Sequence, residues 1–444
     1  MSRSERDQRV LAGVAMAAGV AIGATGVVGH SRPLIALGGA LIAVIAAFLA
    51  PQLLLAVFLV AGGLKSAPWL SGVPGDLTVL TAIGLLAAMV VRAFRSDGIP
   101  NFPPAAALAV GLTALVVLSV LWSPAPTLGL DKALRFETLT MLAFFAPLVL
   151  VRSRADLQRL VIFLVGVSLI VALTSVPGSA PNQPLTIAGG TSEIELALYA
   201  TTGLVAAVGY LMLVGTSRWR FLWLVPAVYL TKIVIDAGSR GVLIGTAVAL
   251  LTIGVRSVAR SRVKVVPIAV MVAATLGAIV FASGLSGPAA AKYKGLLGGN
   301  QAAAIGKRNF LFQDGVDLAL AHPMGLGASG YQAETRFQYP HNAFVEVTDE
   351  QGIIGLALLL ALIVAAFRSS LRAREGPLSP EAILTGGLLI VLLADAMVSQ
   401  TFTQFRELWF AMGLALAVPW IGAAGGQAAR LPLSRAAPPA PRTP

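Results

Sequence analysis

The hydrophobic positions of this chain form long runs that recur from near residue 10 to near residue 422, separated by short polar stretches. A helix needs roughly 20 apolar residues to cross about 30 Å of hydrocarbon, so runs of this length predict transmembrane helices. The candidate segments are 10–28, 33–50, 51–64, 76–93, 104–122, 130–151, 156–176, 193–214, 219–237, 240–256, 263–283, 343–367, 380–399 and 405–422. Some are short or nearly contiguous, so the pattern predicts about 12–14 helices.

Composition supports a membrane protein. The chain is 57% hydrophobic and 12% charged, whereas about 25% of residues are charged in soluble domains. We therefore predict an all-α, polytopic integral membrane protein. It divides into N-terminal helices (1–100), a central bundle (101–283), one large loop (284–342), C-terminal helices (343–422) and a Pro-rich, disordered tail (423–444).

The net charge of +12 could indicate a nucleic-acid partner or an anionic membrane surface, and the placement of the basic residues decides between them. The basic residues are clustered in short loops after alternate apolar runs, as in membrane proteins that obey the positive-inside rule. This pattern favours a membrane over a nucleic-acid partner. It predicts a multi-pass protein of the bacterial inner membrane, with both termini cytoplasmic and the loop 284–342 outside. We interpret Val10–Val28 as a retained first span rather than a signal peptide.

The numbers of cysteine and histidine residues limit the metal sites that this chain can form. The chain has no cysteine and three histidines, which excludes thiolate metal ligands and disfavours a histidine-built metal site. We expect neither a metal nor a cofactor.

The segment Tyr339–Gly355, YPHNAFVEVTDEQGIIG, is the strongest local signal for chemistry. Asn342 is suited to cap the helix that follows, and Glu346 lies in its favourable first turns. His341 therefore stands where the large loop meets a helix. Its imidazole could accept a proton from a sugar hydroxyl near neutral pH. A histidine that only bonds a loop carbonyl explains the position equally well.

The same segment resembles the signature of the O-antigen ligase/polymerase superfamily, with His-Asn, then Glu, then Glu-x-Gly-Ile-Ile-Gly. Upstream features match in order over about residues 100–422. They are Leu121-Trp-Ser-Pro124, Ser239-Arg240-Gly241, Lys307-Arg308 and Ala321-His-Pro-Met-Gly-Leu-Gly327. The sequence departs from the family pattern at 189–195, which reads Gly-Gly-Thr-Ser-Glu-Ile-Glu. Many relatives carry Asn/Asp-Pro-Asn there.

The resemblance implies a metal-independent, inverting glycosyltransferase. Such an enzyme moves a glycan from an undecaprenyl-diphosphate carrier to lipid A–core or to another glycan, in contact with membrane lipids. His341 would be the general base, and Arg240 and Arg308 would bind the diphosphate through bidentate hydrogen bonds. Further candidates for the diphosphate are Arg135, Arg336 and Arg406; supporting residues would be Asn342, Glu346 and Glu350.

Several charged residues also have a purely structural interpretation. Lys232, Asp236 and Arg240 have i, i+4 spacing and could neutralise one another on one helix face. Asp131 and Arg135 share that spacing. Glu346 and Glu350 share a face and could hold His341 or an arginine, or could simply match the helix polarity.

Two other classes of protein fit the hydrophobic pattern. A secondary transporter or flippase has a similar span count, although such proteins often show two repeated halves and we find no repeat. A lipid-binding subunit without activity would not need a histidine beside arginines. Within the enzyme class, the single His-bearing loop favours a ligase over a polymerase.

Overall fold

The structure is a computed structural model that describes residues 50–65, 67, 76–95, 102–178, 184–188, 192–213, 218–260, 302–373, 376 and 379–421. The predicted spans 10–28 and 263–283, all but the last residue of 33–50, and the predicted tail lie outside these described residues.

The described chain is a succession of helices with short connections. The α-helices are α1 (Pro51–Leu64), α2 (Leu77–Arg95), α3 (Ala106–Ser119), α4 (Pro126–Arg135), α5 (Met141–Leu150), α6 (Arg154–Leu173), α7 (Glu193–Leu213), α8 (Leu224–Asp236), α9 (Arg240–Arg260), α10 (Ala302–Ala321), α11 (Gly330–Thr335), α12 (Ala343–Leu371), α13 (Pro380–Ala396) and α14 (Arg406–Ala417). Short 3-10 turns span Val120–Trp122, Arg218–Trp223 and Val418–Trp420, and a π-helical turn, Phe136–Thr140, joins α4 to α5. The strands Ser175–Pro177 and Leu185–Ile187 pair antiparallel between α6 and α7.

Six helical segments within the described residues are long and apolar enough to cross a membrane. They are Leu77–Phe94, Pro126–Leu150, Arg154–Leu173, Glu193–Leu211, Arg240–Ser257 and Ala343–Leu371. Pro51–Leu64 and Ala106–Trp122 are shorter apolar helices. The prediction of an all-α polytopic membrane protein is confirmed, with one small hairpin added. The total of 12–14 helices stays a prediction.

Aromatic rings fill the centre of the bundle where α14 meets α5 and the π-helical turn. The ring of Trp409 lies 5.2 Å from that of Phe136 and 6.2 Å from that of Phe144, centroid to centroid. A Cβ on Gly413 would be 2.0 Å from the carbonyl oxygen of Phe144. Glycine at 413 therefore lets α14 approach α5 closely enough for the rings to interlock.

The helix α12 is broken at Gly352, which has φ 67° and ψ −168°. The break releases backbone groups, and an unpaired buried carbonyl or amide is costly. The loop after α10 supplies partners: Leu326 N–H donates to the Asp349 carbonyl at 2.7 Å, and Gly327 N–H to the Glu350 carbonyl at 2.9 Å. Ile353 N–H in turn donates to the Pro323 carbonyl at 3.0 Å.

Glycine is required on both sides of this junction. Gly325 has φ 82° and Gly327 has φ 90°, a region that side-chain-bearing residues rarely adopt. A Cβ on Gly352 would lie 2.5 Å from the carbonyl carbon of Met324, and one on Gly325 would lie 2.5 Å from the amide nitrogen of Gly352. The His-Pro-Met-Gly-Leu-Gly and Glu-Gln-Gly motifs are therefore two halves of one backbone junction.

The Trp-Ser-Pro turn at 122–124 joins the same junction. Ser119 Oγ accepts a hydrogen bond from Ala328 N–H at 3.0 Å. Ser123 Oγ donates to the Ala328 carbonyl at 2.6 Å. Three motifs that are far apart in sequence thus hold the loop against α3 and α12.

We expect Gly352→Ala to lower the free energy of unfolding by at least about 2 kcal/mol, because the backbone angles at Gly352 are nearly exclusive to glycine and the new methyl group meets the Met324 backbone. The measurement is the thermal unfolding midpoint of the purified protein in detergent.

Gly166→Ala is the matched control. Gly166 lies inside α6, and a Cβ there meets nothing within 4 Å. Alanine favours a helix over glycine by up to about 1 kcal/mol, so this variant should be neutral or more stable. Equal midpoints for the two variants would contradict the assigned role of Gly352.

Candidate functional site

A buried ion-pair network lies beside the start of α12. Lys132 Nζ on α4 is 2.6 Å from Glu346 Oε1 and 2.6 Å from Glu350 Oε1. Both glutamates are fully buried. Glu346 also accepts hydrogen bonds from Thr401 Oγ1 at 2.7 Å and from Phe402 N–H at 3.0 Å. The network therefore ties α4, α12 and the segment before α14 together.

The network corrects the expected partners of Glu346 and Glu350. We considered His341, an arginine or simple helix polarity, and the partner of both carboxylates is Lys132. Lys132 was not among the predicted site residues. A lysine within an apolar predicted span, together with two glutamates one turn apart on another helix, was the available signal, because such groups pair inside a membrane.

His341 has an unusual backbone. Its φ is 58°, in the left-handed region, which is uncommon for residues with a side chain. The ring of His341 packs edge-on against Tyr339 at 4.6 Å between centroids. Its Nδ1 is 3.5 Å from the Ser399 carbonyl oxygen, at the long end of hydrogen-bond distances. Packing on Tyr339 therefore does more to orient the imidazole than this contact does.

Asn342 caps α12 as predicted. Its side-chain oxygen accepts hydrogen bonds from Phe344 N–H at 2.9 Å and from Val345 N–H at 3.1 Å. Its side-chain amide donates to the Met397 carbonyl at 2.9 Å. The cap fixes the start of α12 against the end of α13, and this places His341 beside Ser399.

Arg240 begins α9 after a break in the preceding helix. The helix α8 ends at Asp236 and Gly238 has φ 68°. A Cβ on Gly241 would lie 2.4 Å from Val398 Cγ2 and 3.9 Å from Ser399 Oγ. The start of α9 is therefore packed on the same segment that His341 contacts. By their spacing, Lys232, Asp236 and Arg240 could neutralise one another on one helix face. Of these contacts, the ion pair between Lys232 and Asp236 is formed.

Arg308 lies exposed on α10, and its charge acts on Tyr339 and on Asp395. Burial raises the pKa of Tyr339, and the nearby carboxylates of Glu346 and Glu195 raise it further, whereas Arg308 lowers it. The Tyr339 phenol thus stays protonated at neutral pH and remains able to donate. Arg336 is exposed at the end of α11, with φ 65°.

A cavity of about 1400 Å³ opens between α2, the π-helical turn, α7, α14 and the loop tip at Gln338 and Tyr339. Its apolar wall includes Ile83, Leu86, Met89, Leu142 and Phe145. Its polar wall includes Lys65, Asp76, Arg135, Glu137, Glu195, Tyr199, Tyr339, Gln400, Arg406 and Glu407. Among the described residues, Arg240, Arg308, Arg336 and His341 do not line this cavity, but Tyr339 connects it to His341.

The two arginines that line the cavity already have partners. Arg135 Nε is 3.0 Å from Asp131 Oδ2, which confirms the predicted i, i+4 ion pair. Arg406 Nη1 donates to the Phe58 carbonyl at 3.0 Å, and its guanidinium lies 5.0 Å from the centre of the Phe58 ring. Arg406 is 9% exposed, so the fold holds its guanidinium in place.

Apolar spanning helices, buried ion pairs between them and a cavity with an apolar and a polar wall define a polytopic membrane protein with a candidate active site. Residues 225–360 match the model of the O-antigen ligase family (Wzy_C). The chain is 23% identical over 354 residues to the exopolysaccharide production protein ExoQ of Rhizobium meliloti (strain 1021), with 73% of this chain and 78% of that protein covered. These findings confirm the resemblance of this chain to the O-antigen ligase/polymerase superfamily.

We expect Lys132→Met to lower the free energy of unfolding by about 3–5 kcal/mol, because it leaves two buried carboxylates without their cation. Replacing both glutamates by glutamine in the Lys132→Met background should recover part of that loss. The measurement is the thermal unfolding midpoint in detergent.

Lys232→Met is the matched control, since it also breaks a lysine–carboxylate pair. The Lys232 side chain is 67% exposed, and exposed pairs contribute about 0–1 kcal/mol. A Lys132→Met variant as stable as Lys232→Met would show that the buried network does not hold the helices together.

Proposed function

We propose that this protein transfers a glycan from an undecaprenyl-diphosphate carrier to an acceptor hydroxyl, with His341 as the general base, on the non-cytoplasmic side of the bacterial inner membrane. The observation that carries the proposal is the position of His341. It has a left-handed backbone at the start of a helix, and its ring packs on a tyrosine that lines a large cavity. Unfavourable backbone conformations of this kind are concentrated at functional sites.

The proposed reaction is a single displacement. His341 accepts the proton of the acceptor hydroxyl as the hydroxyl oxygen forms a bond to the anomeric carbon of the donor glycan. The bond between that carbon and the diphosphate oxygen breaks, and undecaprenyl diphosphate leaves with the electron pair. The anomeric configuration is inverted. The protonated imidazole then returns its proton to water.

Arg240 and Arg308 are the proposed ligands of the diphosphate. Guanidinium groups bind phosphate oxygens bidentately, and these bonds strengthen as charge develops on the leaving group. The position of Arg240 at the start of a 21-residue helix adds the favourable end of the helix dipole. Arg135 and Arg406 are held by Asp131 and Phe58, which makes them weaker candidates. Arg336 remains a further candidate.

Two acceptors fit the proposed chemistry. The matched family model is described as O-antigen ligase, so a ligase that transfers the glycan to lipid A–core is the first candidate. The relative is described as an exopolysaccharide production protein, and this favours a growing glycan as the second candidate. Reconstitution with a lipid-diphosphate glycan distinguishes them, because a ligase makes one transfer for each acceptor and a polymerase extends the chain.

We expect His341→Ala to reduce glycan transfer by about 10²–10⁴-fold, the usual contribution of a general base. The protein should still accumulate in the membrane. The control is His322→Ala, since His322 is an exposed histidine at the end of α10 and its loss should leave transfer within about two-fold of wild type. Wild-type transfer by His341→Ala, at normal expression, would remove His341 as the base.

Arg240→Lys and Arg308→Lys test bidentate binding, because lysine keeps the charge and loses the planar pair of donors. We expect each to raise the KM for the donor by about ten-fold, which corresponds to about 1.4 kcal/mol. Arg159→Lys, at the opposite end of the bundle beside Asp156, should behave as wild type. If both lysine variants use the donor normally, the two arginines act only as point charges or not at all.

A further inference from the structure

The charge of the cavity wall does not suit a diphosphate. Among the described residues, four carboxylic acids line it against three basic groups: Asp76, Glu137, Glu195 and Glu407, with Lys65, Arg135 and Arg406. Of the basic groups, Arg135 is paired with Asp131 outside the lining, and Lys65 acts on Asp76. Those of the remaining acids that are ionised repel a ligand with two or more negative charges and offer it no hydrogen-bond donor. This wall is therefore built for a different part of the substrate.

Four side chains of this wall form one group, which we call the Glu195 cluster: Glu195, Tyr199, Arg406 and Glu407. Glu195 and Tyr199 are one turn apart on α7, and the other two begin α14. The charge of Arg406 acts on both glutamates and on the tyrosine. Tyr199 and Glu407 are 4% and 6% exposed, so the cluster is held rigidly by the fold.

Two glycines of α1 make room for the cluster. A Cβ on Gly62 would lie 2.5 Å from Arg406 Nη2, and one on Gly63 would lie 2.5 Å from Tyr199 Cε2. Any larger residue at these positions would displace the arginine or the tyrosine. The close approach of α1 therefore fixes where the guanidinium and the phenol stand relative to the cavity.

One atom of the cluster requires a donor. Glu195 Oε2 is buried and has no hydrogen-bond partner among the described residues. A carboxylate oxygen only accepts hydrogen bonds, and leaving it unsatisfied costs about 1–3 kcal/mol or more. Because Glu195 lines the cavity, a hydroxyl group of a ligand in the cavity can supply the missing donor.

We propose that the Glu195 cluster is the subsite that binds the hydroxyl groups of the acceptor glycan, a proposal that rests on the transfer function above. Sugar hydroxyls can donate to Glu195 and Glu407 and can accept from Arg406 and Tyr199, so a neutral polyol satisfies both kinds of group. A fully ionised diphosphate has no hydrogen to donate to the two glutamates. The subsite is thus chemically distinct from the one assigned to Arg240 and Arg308.

Tyr339 connects this subsite to the proposed base. Its ring contacts His341, its side chain lines the cavity, and the charge of Glu195 acts on its phenol. An acceptor sugar held by the Glu195 cluster would therefore extend past Tyr339 toward the imidazole. Holding the acceptor in this way supplies the orientation that a displacement reaction needs.

The test measures binding with the full-length protein in lipid nanodiscs and two probes. One probe is the oligosaccharide mixture released by mild acid from the host's own surface polysaccharide, and the other is inorganic pyrophosphate. We expect Glu195→Gln and Glu407→Gln to weaken oligosaccharide binding by at least about ten-fold, because each removes a charged acceptor. Pyrophosphate binding should stay within about two-fold of wild type. Arg240→Ala and Arg308→Ala should show the reverse pattern.

Glu193→Gln is the matched control, since Glu193 lies two residues earlier on α7 and outside the described cavity lining. It should bind both probes as wild type does. Unchanged oligosaccharide binding by Glu195→Gln, or an equal loss for both probes, would overturn the subsite. If Glu195→Gln does not accumulate, Glu195→Asp keeps the charge but shortens the side chain, and its oligosaccharide binding should fall several-fold; wild-type binding would overturn the subsite.

The binding readout separates this proposal from the proposed function. If His341→Ala transfers glycan as wild type does while Glu195→Gln loses oligosaccharide binding, His341 is not the base and the acceptor subsite is supported. If His341→Ala loses transfer while Glu195→Gln keeps the wild-type KM for the acceptor, the acceptor subsite is contradicted and His341 as the base is supported.

Discussion

The structure depends on one electrostatic constraint: charges buried between apolar helices must be neutralised by partners. An ammonium group and two carboxylates meet this constraint at Lys132, Glu346 and Glu350. Because Glu346 also binds the backbone of Phe402, the same network sets the position of the segment that leads into α14. His341 directly precedes the N-cap of α12 and lies five residues before Glu346, so the ion pairs of Glu346 help to position the candidate site.

A second constraint acts on the backbone. The break in α12 at Gly352 leaves carbonyls that need donors, and the glycine loop at 322–327 provides them. These hydrogen bonds hold the large loop against α12, and Tyr339 and His341 lie at the end of the same loop. Arg240 and Arg308 lie outside the cavity lining, at the start of α9 and on α10, whereas the carboxyl groups of the Glu195 cluster line the cavity. A substrate with an anionic diphosphate and neutral sugars matches such a division.

Much of the fold was predictable because helix formation in a membrane is local. The predicted segment 51–64 agrees with α1, the segment 193–214 agrees with Glu193–Leu213, and the Asn342 cap is present. The predicted loop 284–342 contains the helices α10 and α11. The π-helical turn at 136–140 was not predicted, since its sequence contains no glycine or proline and its contacts, such as Thr140 Oγ1 with the Thr403 carbonyl at 2.5 Å, are tertiary.

The sequence alone determined the membrane class, the approximate positions of the described helices and the candidate residues, because apolar run length, capping residues and motif spacing act over a few residues of one segment. Tertiary structure decided the rest. It alone could pair Lys132 with glutamates more than 200 positions away, put Arg135 and Arg406 in the cavity wall, and bring Glu195 beside Arg406. Pairing of charges across helices depends on which faces meet, and that choice is made only when the whole bundle packs.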